Sequence, residues 1–308
     1  MSKAESFGRF DFVGKAWLFG GISILLVLFS LGYIAVRGMS WGLDFRGGTE
    51  IQIRFSEPVA ADEIRQVVGK SGIGDVGVQA FGENNEFILR FQGKPGKTEK
   101  ETNENLNSAI ASLKKVIETD LGSRTPDFRR VDTVGPQVGA ELKRSGFLAV
   151  FYSLLVILVY VALRFDYKYS PGAVACLFHD ALISLAIYEI MGKEVNIATL
   201  AAILTLIGYS LNDTIVVFDR IRETEDIYRG KGMAFIINRA INDMLGRTLV
   251  TAGTTLISAI CLVWLGTGVV EDIALVMAIG IVIGTYSSIY VAAPFVLLLD
   301  KLKAARAS

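Results

Sequence analysis

Three stretches of this chain, residues 17–36, 145–163 and 273–299, contain no charged residue. A helix needs about 20 consecutive apolar residues to cross roughly 30 Å of bilayer hydrocarbon, and each stretch approaches or exceeds that length. Within lipid only helices and closed barrels satisfy their own backbone groups, so such segments confine the chain to a membrane architecture. Residues 248–270 are likewise uncharged, residues 172–191 carry His179, Asp180 and Glu189, and residues 195–218 carry Asp213 beside Asn212. Six membrane helices are expected, in keeping with 52% hydrophobic residues and a mean hydropathy of +0.46.

The 31 basic and 31 acidic residues cancel, but the basic ones are unevenly placed. Lys3, Arg9 and Lys15, then Arg164 and Lys168, then Arg220, Arg222, Arg229, Lys231, Arg239 and Arg247, and finally Lys301, Lys303 and Arg306 adjoin one set of span ends. The opposite short loops offer Lys193, with Glu271 and Asp272 at the last turn. Positive charge accumulates on the cytoplasmic side, so both termini are expected there. The first apolar run, 20 residues long and without a small-x-small cleavage site, reads as an uncleaved anchor rather than a signal peptide. This divides the chain into a cytoplasmic N-terminus (1–16), a first span (17–36), an external domain (37–144), a five-helix bundle (145–299) and a cytoplasmic C-terminus (300–308).

The external segment has a definite order of elements. Residues 49–55 alternate, with Ile51, Ile53 and Phe55 on one face, and read as a strand. Residues 60–68 follow as a short helix carrying Ile64, Val67 and Val68. Residues 75–81 and 86–91 are two more strands around the turn residues Gly82, Glu83, Asn84 and Asn85. From 99 to 121 apolar residues recur at helical spacing, and 128–134 closes the set as a fourth strand. Strand, helix, strand, strand, helix, strand is the order of a ferredoxin-like α+β fold.

Several functions are disfavoured by the residues present. Gly72-Ile73-Gly74-Asp75-Val76-Gly77 has G-x-G-x-x-G spacing but enters a strand, the reverse of dinucleotide binding, and reads as a turn. Gly69-Lys70-Ser71 lacks the first glycine of a phosphate loop, where Ile64 stands. Residues 37–144 hold 16 basic and 16 acidic residues, giving no field to attract nucleic acid. Both cysteines, Cys176 and Cys261, fall in spans, so the external domain has no disulfide framework. A single histidine supplies neither a Ser-His-Asp set nor a metal cluster, so no enzyme activity, metal or cofactor is expected.

Polar residues within the spans are the candidates for function. An acid at the centre of a membrane helix costs about 2.5–3.5 kcal/mol on insertion scales, so Asp213 is expected to handle an ion or pair with a base. Arg247, Thr251, Thr254, Thr255 and Ser258 line one face of the fifth span, and Thr205, Tyr209 and Asp213 one face of the fourth; the two stripes are expected to meet. Burial disfavours the charged acid and a nearby guanidinium favours it, so helix motion between Asp213 and Arg247 could load and unload a proton at Asp213. Gly280-x-x-x-Gly284 offers a close-packing surface on the last span.

Gly208-Tyr-Ser-Leu-Asn-Asp-Thr-Ile-Val-Val-Phe-Asp-Arg-Ile-Arg-Glu223 resembles the 16-residue signature of the SecF family, accessory subunits of the bacterial Sec protein-export machinery related to resistance-nodulation-division transporters. The DFRGGT run from Asp44 to Thr49, containing Arg46, Gly47 and Gly48, resembles the family motif after the first span. Val134-Gly135-Pro136 and the RTLVTAGTTL run from Arg247 to Leu256 are similar too. The resemblance implies a bacterial inner-membrane subunit that pairs with SecD, acts beside the SecYEG channel and YajC, and uses a proton or sodium gradient to move preprotein. It places Asp213 and Arg247, with Asn212 and Thr251, in the ion pathway, and gives His179 and Asp180 a supporting place in the network. Asp219, Arg220 and Arg222 are expected to cap the fourth helix on the cytoplasmic side. A small-molecule half-transporter would need a larger external domain, and an intramembrane protease using Asp180 and Asp213 would need a Gly-x-Gly-Asp setting that is absent. Six spans also suggest one half of a pseudo-symmetric bundle completed by a homologous partner.

Overall fold

A computed structural model describes residues 10–80, 85–93, 96, 98–165 and 169–307, in two compact units, Trp41–Ser145 and the combination of Met1–Ser40 with Gly146–Ser308. In chain order the elements are α1 (Ala16–Arg37), α2 (Leu43–Arg46), β1 (Gly48–Arg54), α3 (Ala61–Gly69), β2 (Val76–Ala80), β3 (Glu86–Phe91), α4 (Glu99–Leu121), β4 (Asp127–Val134), α5 (Pro136–Arg164), α6 (Ser170–Ile190), α7 (Ile197–Ile227), α8 (Met233–Leu265), α9 (Val269–Ser287), a π turn (Ser288–Ala292) and α10 (Ala293–Ala307). Among the described residues six helices are long and apolar enough to cross a membrane, the sixth running from Val269 to Leu302 through the π turn.

In the α/β unit the four strands form one antiparallel sheet in the order β2-β3-β1-β4, with α3 and α4 as the connections between β1 and β2 and between β3 and β4. Ile51, Ile53 and Phe55 are buried, as the alternation predicts, and pack with Ile64, Val67 and Val68 of α3 and Leu113 and Ile117 of α4. Thr98 caps α4 by accepting from the Glu101 amide at 3.2 Å. Gly72 and Gly74 adopt φ of +70° and +106° between α3 and β2, so the G-x-G-x-x-G run is a turn built on left-handed glycines. Of the turn expected between β2 and β3, residues 82–84 lie outside the described residues.

The Asp44–Thr49 run has a packing role within this unit. The single turn α2 ends at Gly47, and the chain enters β1 through Gly47 and Gly48 at φ of +73° and +130°. A Cβ on Gly47 would lie 2.9 Å from Pro136 Cα, and one on Gly48 2.8 Å from the Phe91 carbonyl oxygen. Only glycine permits both the backbone angles and these approaches.

In the helical unit, α6, α7, α8, the π turn and α10 pack around Cys176, Phe218, Ile221, Ile237 and Ala240, while residues such as Trp17, Leu25, Trp264 and Leu265 face outward. Asn196 opens α7 with a reciprocal capping box to Thr199. Asn238 of α8, fully buried, accepts from the Phe12 amide at 2.8 Å and donates to the Phe10 carbonyl at 3.0 Å, fixing the segment that precedes α1.

Three boundaries differ from the sequence reading. The second membrane helix begins at Pro136, within the stretch assigned to the external domain, because helical backbone extends past the apolar run. The fifth begins at Met233 rather than 248, since Ile236, Ile237, Ala240 and Ile241 give its charged first turns a buried face. Asp219, Arg220 and Arg222 are inside α7, which continues to Ile227, so they do not cap it; Arg220 instead pairs with Glu223 at 2.7 Å and Asp243 at 2.6 Å.

Candidate ion-handling site

Asp213 lies on α7, partly covered by α8 and by the junction of α9 with the π turn. Thr248 Oγ1 donates to its Oδ1 at 3.2 Å, and Ser288 Oγ to its Oδ2 at 2.6 Å. A cleft of about 20 Å³ opens beside it, lined by Tyr209, Asn212, Thr251, Ala252, Gly284 and Thr285 among others. That volume admits about one water molecule, and the lining supplies the polar partners a water needs. The carboxylate therefore has a hydroxyl shell from Thr248 and Ser288 and a water-sized cleft beside it.

The expected meeting of α7 with α8 is present but carried by fewer residues than the stripes contain. Tyr209 Oη donates to Thr255 Oγ1 at 3.2 Å and lies 3.4 Å from the Thr251 carbonyl oxygen, adding a second crossing beside Asp213–Thr248. In the chain taken alone, Thr205 and Asn212 of α7 and Arg247, Thr251, Thr254 and Ser258 of α8 are exposed. The threonine and serine hydroxyls of this face donate to carbonyls of their own helices, as Thr251 does to Arg247 at 3.0 Å. No ion pair joins Asp213 to Arg247 among the described residues. Arg247 nonetheless acts electrostatically on Asp213.

His179 and Asp180 form a second polar centre, wholly buried, on α6. Asp180 Oδ1 is 2.8 Å from His179 Nδ1, while its Oδ2 accepts from Ser210 Oγ at 2.5 Å and from Ser287 Oγ at 2.8 Å. Cys176 Sγ donates to Ser287 at 3.1 Å and lies 3.8 Å from Thr214 Oγ1. Gly284 packs against this centre: a Cβ there would sit 3.3 Å from Ser210 and 3.6 Å from Asp180 Oδ2.

The sequence reading missed Ser210, Thr214, Thr248, Ser287 and Ser288. Ser210 and Thr214 do show a signal, since they stand four apart and so share a face one residue round from the stripe of Tyr209 and Asp213. Ser287-Ser288 was legible only as two hydroxyls inside an apolar run, where small residues ordinarily serve helix packing. Asp44, Arg46, Gly47 and Gly48 belong to the α/β unit and line neither centre.

Residues 114–302 match the family described as protein export membrane protein SecD/SecF, C-terminal, and residues 32–59 match its SecD/SecF GG motif. Among similar proteins, the protein translocase subunit SecF of Calditerrivibrio nitroreducens is 40% identical over 95% of this chain and 95% of its own. That of Magnetococcus marinus is 40% identical over 95% of this chain and 92% of its own. The crystal structure of SecDF, a translocon-associated membrane protein from Thermus thermophilus, matches 98% of this chain at 33% identity and a TM-score of 0.82. A super-membrane-facing form of SecDF matches 97% at a TM-score of 0.70. The chain spans 40% of the length of each SecDF chain. From both family matches and from identity sustained along nearly the whole length, the chain belongs to the SecD/SecF family of protein export membrane proteins, on its SecF side.

Proposed function

We propose that this chain is an accessory subunit of the Sec translocase in the bacterial cytoplasmic membrane, paired with SecD and using a proton or sodium gradient to drive late steps of preprotein export. The observation that carries the reading is the polar face on α7 and α8. Thr205, Asn212, Arg247, Thr251, Thr254 and Ser258 are uncovered along or at the edge of the apolar stretches of these helices, with Asp213 in the cleft beside them. An arginine against hydrocarbon costs about 2.5–3.5 kcal/mol on insertion scales, so this face calls for a second polar surface or water over it. A homologous six-helix half presenting its own polar stripe supplies that cover.

At such an interface Asp213 exchanges the ion. Thr248 and Ser288 donate to the ionised carboxylate, and Arg247, which makes no ion pair with it in this conformation, is the group whose approach replaces the cation. Each elementary charge moved through the field delivers about 2.3 kcal/mol per 100 mV, enough to bias a two-state rearrangement of helices. No covalent chemistry is needed. In this reading the α/β unit is a ferredoxin-like domain on the outer side of the membrane, with both termini in the cytoplasm, and it engages SecD or the emerging polypeptide beside SecYEG.

The test is export of a preprotein by inverted vesicles with the gradient present or collapsed. Asp213→Asn is expected to retain co-purification with SecD and to lose the gradient-dependent part of export. Full stimulation in that variant would assign Asp213 a packing role and sink the reading.

A further inference from the structure

Three features of the buried centre on α6 go beyond helix packing. The first is His179 Nε2, which has no hydrogen-bond partner among the described residues although His179 is only 4% exposed. The tautomer follows from the neighbours: Asp180 Oδ2 is filled by donors from Ser210 and Ser287, so with the acid ionised Nδ1 carries the hydrogen directed at Oδ1. The Nε2 lone pair is then free to take a proton without breaking any existing bond. A proton arriving there yields an imidazolium beside a carboxylate, a neutralised pair, and its departure restores the neutral ring.

The second feature is the adjacent pair Ser287 and Ser288 at the start of the π turn. Ser287 Oγ has two acceptors for its one hydrogen, Asp180 Oδ2 at 2.8 Å and the Gly284 carbonyl at 3.0 Å. Ser288 Oγ has the same choice between Asp213 Oδ2 at 2.6 Å and the Thr285 carbonyl at 3.1 Å. When a carboxylate is ionised its serine donates to it; when the acid holds a proton, the acid donates to the serine oxygen and the serine hydrogen turns to the carbonyl. Consecutive residues thus serve both acids, and each tolerates either protonation state. The third feature is the π turn itself, a local departure from α-helix of a kind that concentrates at functional sites.

We infer that His179 and Asp180 form a second proton-holding station, set beside Asp213 by the consecutive serines Ser287 and Ser288 that serve one acid each, so that occupancy at one centre changes occupancy at the other. This rests on Asp213 being the ion-exchanging group. Titratable and charged groups around the pair are Cys176 on α6, Asp213 on α7 and Tyr286 on α9, whose ring stacks 6.3 Å from that of His179, with Arg247 of α8 beyond Asp213. Tyr286 is anchored elsewhere, since its hydroxyl donates to the Phe19 carbonyl at 2.6 Å. Asp213 is therefore the titrating partner whose serine, Ser288, is the chain neighbour of the one that serves the pair.

The experiment uses the full chain with SecD in proteoliposomes and the hydrophobic reagent dicyclohexylcarbodiimide, which modifies protonated carboxyls sheltered from water. The adduct at Asp213 is followed by mass spectrometry as pH is varied. Asp180→Asn removes a negative neighbour and is expected to lower Asp213 labelling severalfold at fixed pH. His179→Gln removes the cation that neutralises Asp180 and is expected to raise it. A merely structural role would loosen the bundle in both variants and move labelling in one direction. Shifts of the same sign, or none, overturn the inference while pH-dependent labelling in the parent leaves the reading of Asp213 standing. Labelling of parent Asp213 that ignores pH overturns both. If Asp180→Asn fails to assemble with SecD, the rise expected in His179→Gln decides the matter alone.

Discussion

The two units solve burial in opposite ways. In the α/β unit Thr49 is the one buried polar residue among those described, and the interior is Ile, Val, Leu and Phe. In the helical unit the buried set includes His179, Asp180, Ser184, Ser210, Thr214, Asn238, Thr248, Ser287 and Ser288, while Trp17, Leu25, Trp264 and Leu265 lie outside. Water drives the first arrangement, because each apolar side chain removed from it contributes to stability. Lipid offers no such drive between helices, so small residues and interhelical hydrogen bonds hold the second. The difference also sorts function from stability: a buried hydroxyl or acid in the helical unit is ordinary glue or a working group, whereas in the α/β unit the one buried hydroxyl residue, Thr49, has a partner in Thr133 on the neighbouring strand.

The largest expected effect tests the drive in the α/β unit. Leu113, fully buried on α4 against Ile51 and Ile53, loses both its transfer term and the space it fills when truncated, so Leu113→Ala should cost about 2–5 kcal/mol. Hydrogen exchange on the full chain should show loss of protection confined to β1 and β3, with amides of α6 to α9 unchanged. Equal loss in both units would mean that they unfold as one, and the contrast drawn from their interiors would fail.

Legibility follows the same division. Helix 99–121 was readable to the residue because helical spacing has a single apolar face that water enforces, and strand 86–91 because turn residues bound its apolar run. All six membrane helices were readable from length and charge alone, but their ends were not, because Pro136–Ser145 and Met233–Arg247 are helical without being apolar. Asp213 announced itself as a charge in the wrong solvent. Its companions did not: Ser288 and Thr248 are ordinary residues for a membrane helix, and only the crossing of α7, α8 and the π turn gathers them. Exposure of Arg247 was equally invisible, since a stripe on a helix does not say which neighbour covers it.

A middle-sized effect probes what replaces water's drive in the helical unit. Gly280 of α9 faces the side chain of Leu206 on α7 so closely that a Cβ would collide with it. Gly280→Ala should therefore cost about 1–3 kcal/mol by overpacking. Thermal unfolding of Gly280→Ala, Leu206→Ala and the double variant forms a cycle, and the double variant should recover much of the glycine's loss. Additive losses would show that the glycine serves backbone flexibility rather than close approach.

The smallest effect sits at the edge of the helical unit, where water returns. Lys193, between α6 and α7, contacts Glu271 at 2.8 Å and Asp272 at 3.1 Å in the first turn of α9. Burial works against its charge, but the two carboxylates outweigh it and hold the ammonium above the ordinary lysine range. A raised folded value means a contribution complete below the unfolded lysine value of about 10.4 and lost as pH climbs through the folded one. Partial exposure keeps the pairs weak, so Lys193→Gln should lose about 1 kcal/mol or less at neutral pH, and added salt should shrink that loss. Above the lysine range parent and variant should melt together. A deficit that persisted there would show that the lysine stem, and not its charge, joins the α6–α7 loop to α9, and would extend the rule of apolar burial from the α/β unit into the edge of the helical one.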